Sequence, residues 1–348
     1  MGYFRENVER AAGYKPGFQP KDADVIKLNT NENPYSPSPN VLKALAEIKS
    51  EQLRRYPDPL ADTFRKAAAE LHGVKPENIL CTNGGDELLS IVIRAFCDKN
   101  RTVTYPVPTY SLYPVLAVLQ NCGAIEIPFN SDFSLPAGLE KTGSALTIVC
   151  NPNSPTGSFV RPEGMAELAR RVKGVLLIDE AYTDFADANC LALISRFKNC
   201  IILRSLSKGY SLAGVRFGYA IAGENLIAGL MKLKDSYNVD AVAIAVATAA
   251  IKDQEYFRGN VEKIKRDRQV LTEQLRNLGF IVPGSSSNFV LAEIRKKPAE
   301  EIYERLVGRN IYVRYWKLPG LENKLRISVG TSEQNSKLIS AIKGILSG

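Results

Sequence analysis

The chain has one histidine, one tryptophan, three methionines and no Cys-x-x-Cys pair among its six cysteines in 348 residues. Each scarcity excludes some chemistry. A serine–histidine–aspartate triad would have to be built on His72 alone. His72 lies in ELHGVKP, where a helical pattern ends, and reads as a helix-end surface residue. Cys81, Cys97, Cys122, Cys150, Cys190 and Cys200 lack metal-ligand spacing, so no metal is expected. Most of them sit in apolar surroundings, as buried thiols of a reducing compartment do. No apolar run approaches the roughly 18 residues of a membrane span. The first ten residues, charged at Arg5, Glu6, Glu9 and Arg10, have no apolar secretory core. These features predict a soluble, cytoplasmic protein with no membrane partner.

The net charge is +8, and nearly all the surplus falls in residues 251–348. Its densest stretch, RGNVEKIKRDR (258–268), interleaves acids and reads as a solvated helix face. No aromatic-interleaved basic patch or nucleic-acid module is present, so no nucleic-acid partner is expected. The surplus fits modest attraction of an anionic small substrate.

Pro, Gly and Asn crowd residues 11–40, which predicts an extended arm. From NILCT (78–82) to VRFGYAIA (215–222), short apolar strands alternate with helices, the pattern of a parallel α/β sheet covered on both faces. Near residue 240 the pattern changes to long helix, with a break expected around Gly259, and then to short strands and helices. The predicted organisation is an arm (1–30), a large three-layer α/β/α domain with a mostly parallel sheet (31–250), and a smaller C-terminal α+β domain (251–348).

Function in such sheets gathers at the C-terminal strand ends. Asn83-Gly-Gly-Asp-Glu87 follows a strand and opens a helix, where glycines and free N–H groups suit a phosphate and equally suit a plain turn. Asp179 ends the apolar run LLID, a costly place for an acid unless it has a partner. The partner is either a structural cation or a protonated heterocyclic nitrogen. Lys208 follows an apolar strand among Ser205, Ser207 and Arg216. Hydroxyls and a guanidinium suit phosphate oxygens, and a lysine in a partly dry pocket loses proton affinity and can form a Schiff base with an aldehyde. Together these groups fit pyridoxal 5'-phosphate.

The motifs KLNTNENPYSPSP (27–39), RRYPDP (54–59), NPNSPTG (151–157), DEAY (179–182), SLSKGYSLAGVRFGY (205–219) and LRISVGT (325–331) resemble, in order and over nearly the whole chain, the fold-type I pyridoxal-phosphate aminotransferases, most closely those acting on histidinol phosphate. The resemblance implies a role for each matching residue. Lys208 is the lysine that takes the cofactor aldehyde and moves the substrate proton. Asp179 pairs with the pyridine nitrogen, Asn151 and Tyr182 hydrogen-bond the ring oxygen, and Tyr110 stacks on the ring. The backbone of Gly85 and Asp86, with Ser205, Ser207 and Arg216, holds the cofactor phosphate. Tyr56 reaches that phosphate from a neighbouring subunit, which implies a homodimer with a shared site. Arg326 and Arg314 receive the phosphate or carboxylate of the two substrates, with Tyr14 and Asn33 nearby and Tyr237 contributing across the dimer. Trp316 reads as a packing residue. The chain departs from the family pattern at Ser236, where a proline is common, and at Asp240, where an asparagine is.

The implied reaction is transamination of L-histidinol phosphate with 2-oxoglutarate, giving imidazole-acetol phosphate and glutamate, in histidine biosynthesis. An aromatic amino acid aminotransferase and a threonine-phosphate decarboxylase are the alternatives on the same scaffold.

Overall fold

The computed structural model describes residues 2–20 and 24–348; positions 1 and 21–23, all within the expected arm, lie outside the described residues. Strands form at β1 (Ile26–Lys27), β2 (Ile79–Thr82), β3 (Val103–Val107), β4 (Ala124–Pro128), β5 (Leu146–Cys150), β6 (Val175–Asp179), β7 (Cys200–Ser205), β8 (Gly218–Ala222), β9 (Phe289–Glu293), β10 (Ile311–Tyr312), β11 (Arg314–Tyr315) and β12 (Lys324–Ser328). Seven of them make the main sheet, in the order β2-β8-β7-β6-β5-β3-β4. The sheet is parallel except for β8, which runs antiparallel to both β2 and β7.

Its middle strands are buried along their whole length, which is why LTIVC and CIILRS read as almost unbroken apolar runs. Alternate side chains feed two cores. Ile178, Ile202 and Ile221 face one helical layer. Leu177, Ile201 and Ala220 face the other. This is the expected three-layer α/β/α arrangement.

A third core belongs to the C-terminal layer, where Val261, Ile264 and Leu271 pack against the antiparallel sheet β11-β12-β9. Leu28 joins this core, and β1 pairs in parallel with β10, Ile26 opposite Ile311. The N-terminal segment is thus anchored to the C-terminal layer before it runs across the site.

Two expectations need correction. The long helical region breaks at Asp253 and not at Gly259, between helices Ala241–Lys252 and Gln254–Asn277. The Asp253 carboxylate accepts from Tyr256 N–H and caps the second helix, whereas Gly259 sits inside it. His72 is half-buried beside the sheet and shares a 2.8 Å hydrogen bond with the Tyr219 hydroxyl, and burial pushes its pKa down to about 3. The helix it ends is closed by Gly73 in the left-handed region, φ 63°. Asp240, the departure from the family pattern, caps its own helix by accepting from Ala243 N–H at 2.7 Å.

Candidate active site

A cavity of about 740 Å³ opens at the C-terminal ends of the central strands, between the main sheet, the N-terminal segment and the small sheet. Parallel strands end together there, so residues far apart in sequence converge.

Asp179, the last residue of β6, is 4% exposed. Its carboxylate accepts from the Tyr113 hydroxyl at 2.7 Å and from Ala181 N–H at 3.1 Å. Burial raises its pKa to about 6, and those hydrogen bonds offset only part of the rise. Lys208, in the loop after β7, donates from Nζ to the Thr30 carbonyl at 3.2 Å. Burial, and then the nearby Arg326, lower its pKa to about 8. Its ammonium lies 5.6 Å from the centre of the Tyr182 ring. The Tyr182 hydroxyl accepts from the Asn31 amide at 3.0 Å.

The helix Gly84–Phe96 points its N-terminus at the cavity. Gly84 takes φ +79°, and a Cβ on Gly218 would lie 2.7 Å from the Gly84 carbonyl carbon, so the loop can press against β8 only where both are glycine. Asp86, Ser205, Ser207 and Arg216 line the same end of the cavity. Arg216 contacts Asp86 at 3.4 Å and donates from Nη1 to the Ala213 carbonyl at 3.2 Å.

At the opposite end lie Arg314, Arg326 and Trp316. Arg326 sits on β12 directly across from Arg314 on β11. It donates to Ser154 Oγ at 3.0 Å and to the Asn29 carbonyl at 2.8 Å, and its Nε has no partner among the described residues. Burial lowers its pKa to about 10.

The cavity therefore gathers Lys208, Asp179, Tyr182, Tyr110, Gly85, Asp86, Ser205, Ser207, Arg216, Arg314, Arg326 and Tyr14. Asn151 and Asn33 do not line it, and neither do Tyr56 and Tyr237, which were expected to act from a neighbouring subunit. Asn151 is fully buried behind it, its side chain donating to the Val160 carbonyl at 2.9 Å and accepting from Val160 N–H at 2.8 Å. That pairing closes the NPNSPTG turn and leaves Ser154, three residues on, at the cavity. Asn33 stands beneath Lys208, donating to the carbonyls of Lys208 and Gly209 at 3.0 and 3.1 Å. Tyr56 and Tyr237 stack on each other on the outer surface, ring centres 4.5 Å apart.

Thr30, Asn31, Tyr113 and Ser154 reach the site or its first partners without having been singled out, and Trp316, read from the sequence as a packing residue, lines the cavity. Thr30 and Asn31 lie inside KLNTNEN and Ser154 inside NPNSPTG, so the motifs held the signal. Tyr113 had none, because its role depends on how its helix packs under Asp179.

Residues 23–342 match the model of the class I and II aminotransferases. The chain is 49% identical, over 99% of its own length and 99% of the relative's, to a histidinol-phosphate aminotransferase of Trichormus variabilis. It is 43% identical to that of Geotalea uraniireducens, over 98% of this chain and 99% of the relative. Its backbone superposes with a TM-score of 0.90 on the histidinol-phosphate aminotransferase of Sinorhizobium meliloti solved with pyridoxal-5'-phosphate, at 24% identity and covering 100% of this chain and 98% of that one. The chain belongs to the class I and II aminotransferase family.

Proposed function

We propose that this chain is a pyridoxal-phosphate-dependent aminotransferase that converts L-histidinol phosphate and 2-oxoglutarate to imidazole-acetol phosphate and glutamate, in the cytoplasm, as a step of histidine biosynthesis. The observation that carries this reading is the convergence on one cavity of a lysine, a buried acid and a pair of arginines, in a chain nearly half identical over its full length to histidinol-phosphate aminotransferases.

The donor set fits the cofactor. Asp179 is a buried carboxylate whose raised pKa has no cation among its largest causes, as suits a group awaiting a protonated ring nitrogen. The helix N-terminus at Gly85 and Asp86, with Ser205, Ser207 and Arg216, offers N–H, hydroxyl and guanidinium donors to its phosphate. When bound, the cofactor supplies an electrophilic carbon and a sink for the electron pair left as the substrate proton departs. Asp179 would hold the ring nitrogen and favour its protonated form. Lys208 Nζ, poised near pH 8, would take the proton from the amine-bearing carbon and return it one position along. Thr30 and Asn33 fix that amine by its tip and by its backbone. Tyr182 presents a hydroxyl held by Asn31. Arg314 and Arg326 receive the phosphate of one substrate and a carboxylate of the other.

Two guanidiniums at the far end favour an anionic group there over the apolar slot that an aromatic amino acid needs. The Tyr56–Tyr237 stack, with Leu42 60% and Leu53 64% exposed on neighbouring elements, supports a homodimer contacting through this face. Sedimentation tests that point, and a monomer at micromolar concentration excludes it.

The functional test is a single turnover. The holoenzyme is mixed separately with histidinol phosphate, phenylalanine and threonine phosphate, and the cofactor absorbance is followed. Fast conversion with histidinol phosphate is expected. Fast conversion with phenylalanine and none with histidinol phosphate would overturn the substrate assignment.

A further inference from the structure

Trp316 is the sole tryptophan of the chain, and its placement differs from that of a packing residue. It lines the main cavity, and the guanidinium carbons of both Arg314 and Arg326 lie 5.1 Å from its ring centre. The register of β11 and β12 sets the two arginines directly opposite each other, where like charges repel. Arg326 is otherwise held by neutral groups, the Ser154 hydroxyl, the Asn29 carbonyl and the face of Phe289 at 5.2 Å. Arg314 has no such second ring among the described residues. An electron-rich indole shared by two guanidiniums offsets part of their repulsion without neutralising either, as a carboxylate would.

We propose that Trp316 is a positioning residue that holds Arg314 and Arg326 together as one doubly charged receptor for the anionic end of the substrate. The proposal rests on the reading that this pair receives substrate phosphate and carboxylate. Because Arg326 keeps Phe289, Ser154 and Asn29 when the indole is removed, the loss falls mainly on Arg314. A phosphate dianion, which uses both cations, then suffers more than a single carboxylate.

The test uses full-length holoenzyme, with the cofactor in place so that its own phosphate site is filled, in three forms: wild type, Trp316→Leu and Trp316→Phe. Inorganic phosphate is the probe. In the wild type, phosphate should shift the emission of the single tryptophan saturably, and should inhibit competitively with the amine donor. Trp316→Leu should weaken phosphate inhibition and raise the KM of the phosphate-bearing donor by about tenfold, with kcat changed by less than about threefold. Trp316→Phe, which keeps a ring face, should restore most of that loss. Unchanged phosphate inhibition in Trp316→Leu, a Phe variant no better than the Leu variant, or a kcat loss as large as the binding loss each overturns the proposal. If another amine donor proves to be the true substrate, the functional reading fails, while the comparison of phosphate inhibition among the three forms still decides the role of Trp316.

Discussion

Replacing Asp179 by asparagine separates what the residue does for stability from what it does for chemistry. The buried carboxyl is raised from 3.8 to about 6 in the fold. A group that binds its proton more tightly when folded contributes its full stability below the unfolded pKa and loses it as pH rises through the folded one. For Asp179 that window runs from about pH 4 to about pH 6, and two pKa units correspond to ~3 kcal/mol. Above the window, a lone carboxylate is being kept ionised in a dry site. Asparagine can keep the bond from Ala181 N–H and can turn its amide toward the Tyr113 hydroxyl, so it removes the charge without opening a hole. Cofactor-free Asp179→Asn protein should therefore be more stable than cofactor-free wild type at pH 8, by up to ~3 kcal/mol, and equal to it near pH 4. With pyridoxal phosphate bound, the wild-type carboxylate gains a cationic partner, so the order should invert and turnover should fall by orders of magnitude. Urea unfolding of both forms, with and without cofactor, from pH 4 to pH 8 measures all four quantities. A variant less stable than wild type without cofactor at pH 8, or a stability difference that ignores pH, would refute the reasoning.

Lys208→Ala should abolish turnover while still binding the cofactor noncovalently; borohydride should fix the cofactor to the Lys208 peptide in wild type and to no peptide in the variant, and measurable steady-state activity in the variant would show that another lysine does the work. Gly218→Ala puts a methyl 2.7 Å from backbone of the Gly84 loop, which cannot yield as a side chain would, so it should cost about 1–3 kcal/mol of stability and weaken cofactor affinity, read by thermal melting and by equilibrium dialysis. Asn31→Ala removes the N–H that favours the ionised form of Tyr182; the tyrosine pKa, already raised to about 12 by burial, should rise further, and a kcat/KM profile with an unmoved alkaline limb would count against that link.

The chemistry at the ends of β6 and β7 was legible because strands of this kind are nearly pure apolar runs. An acid closing LLID or a lysine after IILRS stands out against them. The α/β layering was legible for the same reason. Asn151 was expected at the ring oxygen; a strand-end asparagine can turn its amide either toward a ligand or back onto its own loop, and only the fold reveals that here it is engaged by Val160 and by Cys190 Sγ. The break at Asp253 was missed in favour of Gly259 because glycine weakens a helix only modestly, while a cap that captures the next helix's N–H starts a new one. His72 was taken for a surface residue because its contact with Tyr219 joins residues 147 positions apart.

The stretch after Leu28, marked in the sequence by its motif but not by any visible role for its backbone, is the part that ties the site together. Leu28 is buried in the core of the C-terminal layer. In the five residues that follow it, the chain crosses the cavity and meets Arg326, Lys208 and Tyr182 in turn. The Asn29 carbonyl receives Arg326, the Thr30 carbonyl receives Lys208, the Asn31 amide reaches Tyr182, and Asn33 grips the Lys208 backbone. Asn31 manages its contact from the left-handed region, φ 57°, which asparagine tolerates better than most residues, and its backbone is pinned by Ser328 and Asn288. Composition marks this stretch only as loop. Its polar side chains and bare carbonyls make sense once the two arginine strands on one side and the lysine loop on the other are in place. An extended segment exposes a donor and an acceptor at every residue, and here those groups span the gap between a layer that recognises anions and a sheet that carries the lysine. Any shift of the C-terminal layer must then be felt at the lysine, because the same few backbone atoms serve both.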